Sequence, residues 1–329
     1  MAKSSRVFLA LVFGGIFCVL SAAALVIFAV LNVPNFEDMR KEVVVPIKLA
    51  NGTKSTRRVG PKAPDWVPMN QIANSMLMAV IASEDTSFFS HEGIDYHELK
   101  ESMKKDLQEK RWARGGSTLT QQVVKNVYLS PEKTITRKVK ELIWARELDR
   151  KLSKHEILCF HVNMAEFGPG IYGVRAAARH YFNTSPAELT PRQSAFLAMM
   201  LPAPTKYYVY FRQKKLTVWA TKRINQILRV MNRMGFIDDE AYQAAMRESL
   251  WGETPEILDP DAGPVSDDDA ELPAGAPTGQ PDAGAKHISA PPYPNREEGK
   301  PEGIPAPETP SPEPDTEAVP GPSSVEEPQ

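Results

Sequence analysis

Residues 81–93 read Ile-Ala-Ser-Glu-Asp-Thr-Ser-Phe-Phe-Ser-His-Glu-Gly, so two adjacent carboxylates, Glu84 and Asp85, end the apolar run Met76 to Ala82. A helix C-terminus carries partial negative charge, and acids are the wrong residue type there. A like-charged neighbour and flanking apolar groups both disfavour ionisation, so a carboxyl in this stretch is expected to hold its proton above the usual range. Such a group suits general acid or base work. Read alone, the same residues fit a solvated helix end equally well.

Three further stretches carry polar groups at spacings suited to chemistry. Gly115-Gly116-Ser117-Thr118-Leu119-Thr120-Gln121-Gln122-Val123-Val124-Lys125-Asn126 is a Gly-Gly turn into a helix. Its free backbone N–H groups and hydroxyls suit an anion, and Gln121, Gln122 and Lys125 fall within about one turn. The Gly-Lys-Ser/Thr of a nucleotide loop is missing. In isolation an ordinary capped helix is the plainer reading. Arg137-Lys138-Val139-Lys140-Glu141 sets cations beside a carboxylate, either as a solvated ion-pair face or as a clamp for phosphate or pyrophosphate. The fourth stretch runs from Lys154 through Ile157-Leu158 to Asn163 and Gly168.

Helices must position these groups. Apolar spacing predicts helices over 70–83, 96–111, 117–129, 134–152, 216–234 and 239–250. Capping boxes at Ser153-Lys154-His155-Glu156, Ser185-Pro186-Ala187-Glu188 and Thr190-Pro191-Arg192-Gln193 predict three more helix starts. No internal repeat and no run of alternating strands is present, so the class is mainly α. Residues 67–250 are expected to be the folded body, with 32–66 a polar connector that has some β-like pattern in Val-Val-Val-Pro-Ile-Lys-Leu.

The flanks differ sharply from that body. Residues 7–31 hold no charge and are long enough to cross a bilayer. They read as an uncleaved transmembrane anchor, since the run exceeds a signal-peptide core and its small residues sit mid-run; a cleaved signal is the minor alternative. Lys3 and Arg6 precede the run, which puts residues 1–6 in the cytoplasm and the remaining chain outside the cytoplasmic (inner) membrane. From Glu253 onward there are 18 acidic and 3 basic residues, leaving 36 basic and 23 acidic in 1–252. The body's partners are therefore expected to be anionic. The tail, 251–329, holds 18 of the 29 prolines after position 252 and reads as disordered. The two cysteines, Cys18 in the anchor and Cys159 in a helix, offer neither a disulfide framework nor a metal pattern.

Taken together and in order, E-D-x-x-F-x-x-H-x-G, G-G-S-T-x-T-Q-Q-x-x-K-N, R-K-x-x-E and K-x-x-I-L-x-x-x-x-N resemble glycosyltransferase family 51, the peptidoglycan transglycosylases. The resemblance covers residues 65–210 and includes Gly173-Val174, Ala176-Ala177-Ala178, Tyr181-Phe182 and Pro202-Ala203-Pro204. It implies a lysozyme-like fold and polymerisation of lipid II into β-1,4 glycan strands, with undecaprenyl pyrophosphate leaving. It makes Glu84 the general base and Glu141 the second carboxylate, acting directly or through a divalent cation (Mg or Mn); no cofactor is otherwise implied. Lys125, Arg137, Lys138 and Lys140 would neutralise phosphate charge, and Ser117, Thr118, Gln121 and Gln122 would position substrate. Phe88 and Phe89 would keep the carboxylates from bulk water. Asp85, Phe88, His91, Gly93, Asn126 and Asn163 are expected either to be structural or to support the residues that touch substrate. Leu99, Met103, Leu107 and Trp112 either dip toward lipid, as the family's mobile jaw does, or form an ordinary amphipathic helix.

Two positions depart from the family. Tyr-Leu-Asn is usual where this chain has His161-Val162-Asn163, and Glu is usual at Gln193. Neither replaces a carboxylate of the motifs. The sequence has no Lys-Thr-Gly or Lys-Ser-Gly, and its two Ser-x-x-Lys matches, at Ser102 and Ser130, lie inside the transglycosylase-like body. The expectation is thus a monofunctional enzyme that binds no β-lactam. Its partners would be lipid II, the lipid-linked glycan, the membrane and, through the tail, other cell-wall synthesis proteins; nucleic acid is not expected. A lysozyme-like lytic enzyme needs no pyrophosphate cluster. A membrane-anchored scaffold needs neither carboxylates nor cations.

Overall fold

The computed structural model describes residues 2–109, 116–132 and 134–252. The tail beyond Gly252, and with it the expectation of disorder, lies outside the described residues. So do Gly115, Trp112 and the side chains of Met103 and Leu107. The described chain is mainly helical, as its periodicity predicts.

Helix α1 (Ala2–Leu31) is long and apolar enough to cross a membrane, and Leu11, Phe13, Phe17 and Leu20 stand exposed on it. Its end is docked on the body. Ala29 is fully buried, and its carbonyl accepts a 2.8 Å hydrogen bond from Trp144 Nε1. The stretch expected as a connector then makes an antiparallel hairpin, β1 (Val43–Lys48) with β2 (Lys54–Val59). Asn51-Gly52 lies in its turn, where Gly52 has φ +84°. Phe36, Met39, Val45 and Val59 from this stretch are buried in the same core as the helices.

The core is built by α2 (Asn74–Glu84), α4 (Leu119–Tyr128), α6 (Lys154–Met164), α8 (Pro191–Met200) and α10 (Val218–Arg233). Helix α8 is its centre, buried from Ser194 to Met200 and packed against α2 and α10. Around these lie α3 (Tyr96–Glu109), α5 (Ile135–Lys151) and α11 (Asp239–Arg247). A short pair, β3 (Glu166–Gly168) and β4 (Ile171–Tyr172), follows α6. Two helices were not legible in the periodicity, α7 (Val174–Phe182) and α9 (Pro204–Gln213).

The expected caps form at α6 (Ser153 with Glu156) and α8 (Thr190 with Gln193), so glutamine at 193 serves as the capping partner. The box at Ser185–Glu188 closes only a 3-10 turn. The next segment begins Thr190-Pro191, and a proline there cannot continue a preceding helix. Helix α2 also starts later than expected, at Asn74, because Ile72 and Ala73 are extended and the Ala73 amide is drawn 2.8 Å from the Pro186 carbonyl.

Asn163 ties α6 to the chain at Val67. Its Oδ1 accepts from the Val67 amide at 2.8 Å, while its Nδ2 donates to the Val67 and Cys159 carbonyls, both at 2.9 Å. It is buried, so an alanine there would strand both backbone groups of Val67. Asn163→Ala is expected to lower unfolding stability by about 2 kcal/mol in a denaturant titration, whereas Asn126→Ala, at an exposed position on α4, leaves it unchanged.

Candidate functional site

Glu84 is the last residue of α2, and Asp85 caps it with extended backbone. The two carboxylates diverge from there. Asp85 is buried, and its Oδ2 accepts the Leu119 amide at 2.9 Å, the first N–H of α4. His91 Nε2 lies 3.1 Å from each Asp85 oxygen. An acid that is misplaced at the end of α2 is thus well placed at the positive end of α4. His91 is held in turn by Lys154, whose Nζ lies 3.5 Å from Nδ1 and bonds Asp149 at 2.6 Å. The lysine donates to Nδ1, so the proton on Nε2 faces Asp85.

Gly93 allows the 85–95 loop to sit against α5. It has φ +78°, and a Cβ would meet the Ala145 carbonyl oxygen at 2.5 Å. The Gly93 carbonyl accepts Thr118 Oγ1 at 2.7 Å. Thr118 and Gln121 also form the capping box of α4. Both are buried, so the structure gives these two a different task from the substrate contacts expected of them. Ser117 is half-buried just ahead of that cap. Phe88 is fully buried beneath the loop against His91 and Lys154, whereas Phe89 is 49% exposed and leans on His155.

With α4 fixed, Gln122 and Lys125 project toward Glu84 and α5. Gln122 Nε2 donates to Glu84 Oε2 at 3.1 Å, and Ser83 Oγ donates to Oε1 at 3.3 Å. Glu84 remains half-exposed, within reach of a ligand. One helical turn of α5 supplies the opposing cluster. Arg137 Nη1 donates to Glu141 Oε2 at 3.0 Å and Lys138 Nζ to Oε1 at 2.5 Å. Glu141 is 2% exposed, and Arg137 Nε is buried with no partner among the described residues. Burial pulls the Lys125 ammonium below the usual lysine range, with Glu141 and Glu84 opposing and Lys138 and Arg137 adding to the shift. That one lysine therefore lies in the field of both carboxylates and both cations.

Lys140 is turned elsewhere. Its ammonium stands 4.5 Å from the Phe28 ring centroid on α1 and 5.3 Å from that of Trp144. The 100° step between neighbours on a helix separates it from Glu141. It packs on α1, while Lys125, Arg137 and Lys138 stay grouped around Glu141. Asn126 is exposed on α4, with no bond to the cluster among the described residues.

The arrangement is a half-open carboxylate beside a cluster of half-buried cations gathered around the buried Glu141. It can take a proton at one point and stabilise an anion a short distance away. Each Glu141 oxygen accepts from a cationic donor, and the described residues offer no cluster of three acids, histidines or cysteines.

Comparisons show what the chain is similar to. The family model described as Transglycosylase matches residues 52–232. A biosynthetic peptidoglycan transglycosylase of Nitrosomonas eutropha is 42% identical over 151 residues, 46% of this chain and 62% of that protein. One from Janthinobacterium sp. (strain Marseille) is 39% identical over 167 residues, 51% of this chain and 71% of that protein. The matched stretch thus spans about two thirds of these relatives. Among solved structures, penicillin-binding protein 1A from Haemophilus influenzae aligns with a TM-score of 0.32 and 19% identity, over 65% of this chain and 22% of that one, too low to carry an argument.

The buried lysine gives a pH signature. Binding of inorganic pyrophosphate, followed by calorimetry, is expected to weaken as pH rises through the lowered Lys125 pKa, because the ammonium is charged only below it. Lys125→Arg stays charged and should remove that alkaline loss, while Lys125→Gln should weaken binding about tenfold at neutral pH.

Proposed function

This chain belongs to the transglycosylase family, and from that premise we propose that it is a peptidoglycan glycosyltransferase that polymerises lipid II into β-1,4 glycan strands. The observation that carries the reading is the half-open Glu84, bonded to Gln122, beside Lys125, Arg137 and Lys138. The relatives' printed names support the same reaction class.

In this reading Glu84 takes the proton from the 4-hydroxyl of the acceptor sugar. The freed oxygen attacks the anomeric carbon of the lipid-linked donor chain. The bond to the pyrophosphate oxygen breaks, its electrons stay with that oxygen, and undecaprenyl pyrophosphate leaves. One displacement inverts the centre, so an α-linked donor becomes a β-linked product. Lys125, Arg137 and Lys138 neutralise the charge growing on the pyrophosphate, and the unpaired Arg137 Nε–H is a donor ready for one of its oxygens. Glu141 holds Arg137 and Lys138 in place by accepting from both. No step passes through a metal.

Helix α1 would anchor the enzyme in the inner membrane with the body on the extracytoplasmic side, where a prenyl-linked substrate is met in two dimensions. The acidic proline-rich tail would recruit other cell-wall synthesis proteins. A lytic enzyme acting on finished strands would have no use for the cations around Glu141.

Purified protein in detergent is expected to convert labelled lipid II into polymer, and Glu84→Gln is expected to cut the rate at least about a hundredfold. Parental turnover by Glu84→Gln would move the base elsewhere. Soluble fragments from purified sacculi, with no polymer from lipid II, would favour the lytic reading instead.

A further inference from the structure

Gln122 stands between two groups that settle which way its amide points. A carboxylate only accepts hydrogen bonds, so the NH2 end faces Glu84, 3.1 Å away. The carbonyl end then faces His161 on α6, where Nε2 lies 3.2 Å from Gln122 Oε1. That contact bonds only if the imidazole carries its proton on Nε2. His161 is 2% exposed, and its Nδ1 is buried with no partner among the described residues. A bare Nδ1 tolerates such a place better than a second N–H with nothing to receive it.

We propose that His161 is a positioning residue for the base: as a neutral Nε2–H donor it fixes the Gln122 amide so that NH2, never the carbonyl, faces Glu84. The inference rests on the proposed role of Glu84. Burial, aided by the Lys125 charge, pulls the His161 imidazole down to about 4, so it stays neutral through the working range.

The charged groups around the pair leave this relay intact. Lys125 on α4 repels a proton on His161 and favours the Glu84 carboxylate. Arg223 on α10 donates to the Ser83 carbonyl at 3.4 Å. Arg57 on β2 is turned to Asp65 and to the Asn163 carbonyl. Arg192 on α8 donates to the Ala245 carbonyl, and Arg175 on α7 to that of Trp66. The donor that the geometry sets against the Gln122 carbonyl is the His161 imidazole, at 3.2 Å.

Without that donor the amide is free to turn. Its carbonyl would then meet the Glu84 carboxylate, and the base would lose a hydrogen bond and gain a repulsion. Both effects raise the pH at which Glu84 ionises.

The test compares the full-length parent with His161→Phe and His161→Tyr in detergent. The acidic limb of kcat/KM for lipid II polymerisation should move up by about one pH unit in His161→Phe, about a tenfold loss at the acid end. His161→Tyr should return the limb to the parent's position. A folded His161→Phe with the parental limb would overturn the proposal, because a residue that merely filled space would lower the rate without moving the profile. A second measurement does not depend on catalysis. In protein labelled with 15N-histidine, the signal that disappears in His161→Phe should report the neutral Nε2–H tautomer at pH 6. An Nδ1–H tautomer, or a protonated ring at that pH, would overturn the proposal. If the tautomer is as expected but Glu84→Gln polymerises at the parental rate, the assignment of the base fails while the relay stands.

Discussion

The first amide of α4 is held by one buried carboxylate, Asp85, and the geometry of the cleft follows from that bond. The charge sits at the positive end of the helix, where it is favourable, and it is buried, where it would be costly if unpaired. His91 supplies the pairing from the other side, backed by Lys154 and Asp149. Thr118 adds a second tie through the Gly93 carbonyl. These bonds fix where α4 starts and how it is rotated. One turn later the same rotation aims Gln122 at Glu84 and carries Lys125 between the carboxylates. Two adjacent acids thus divide the labour, Asp85 building the wall and Glu84 facing the ligand.

The opposing wall solves a different electrostatic problem. Cations beside one another repel, and a buried acid between them offsets that repulsion. Glu141 does this for Arg137 and Lys138 while leaving an Arg137 N–H unspent. The same helix reaches α1 through Lys140 and Trp144. Helix α5 therefore links the cation cluster to the long apolar helix.

Much of this was legible because the sequence states it locally. Capping boxes at Ser153 and Thr190 and the apolar spacing of α2, α4 and α10 each depend on residues three or four apart. The motif residues were legible as a set through the family resemblance. What stayed hidden depends on partners far along the chain. Helix α7 opens on Gly173 at φ +84° with no side-chain cap, and α9 carries the run Tyr207-Tyr208-Val209-Tyr210-Phe211, whose residue types read as strand formers. The hairpin carried a turn signal, Asn51-Gly52, that an otherwise polar stretch concealed. The contacts of Lys140 with α1 and of His161 with Gln122 span 112 and 39 residues. No spacing rule reaches that far. Thr118 and Gln121 were ambiguous in principle, since capping and ligand binding draw on the same side-chain groups.

The most direct test of this account is the turnover number of Asp85→Ala at saturating lipid II, measured on protein that keeps the parent's circular dichroism spectrum. Glu84 and the cations would be intact, but the start of α4 would be released, so turnover should fall about a hundredfold, the cost of a catalytic group displaced by roughly an ångström. Parental turnover in a folded Asp85→Ala protein would show that the cleft does not depend on that bond.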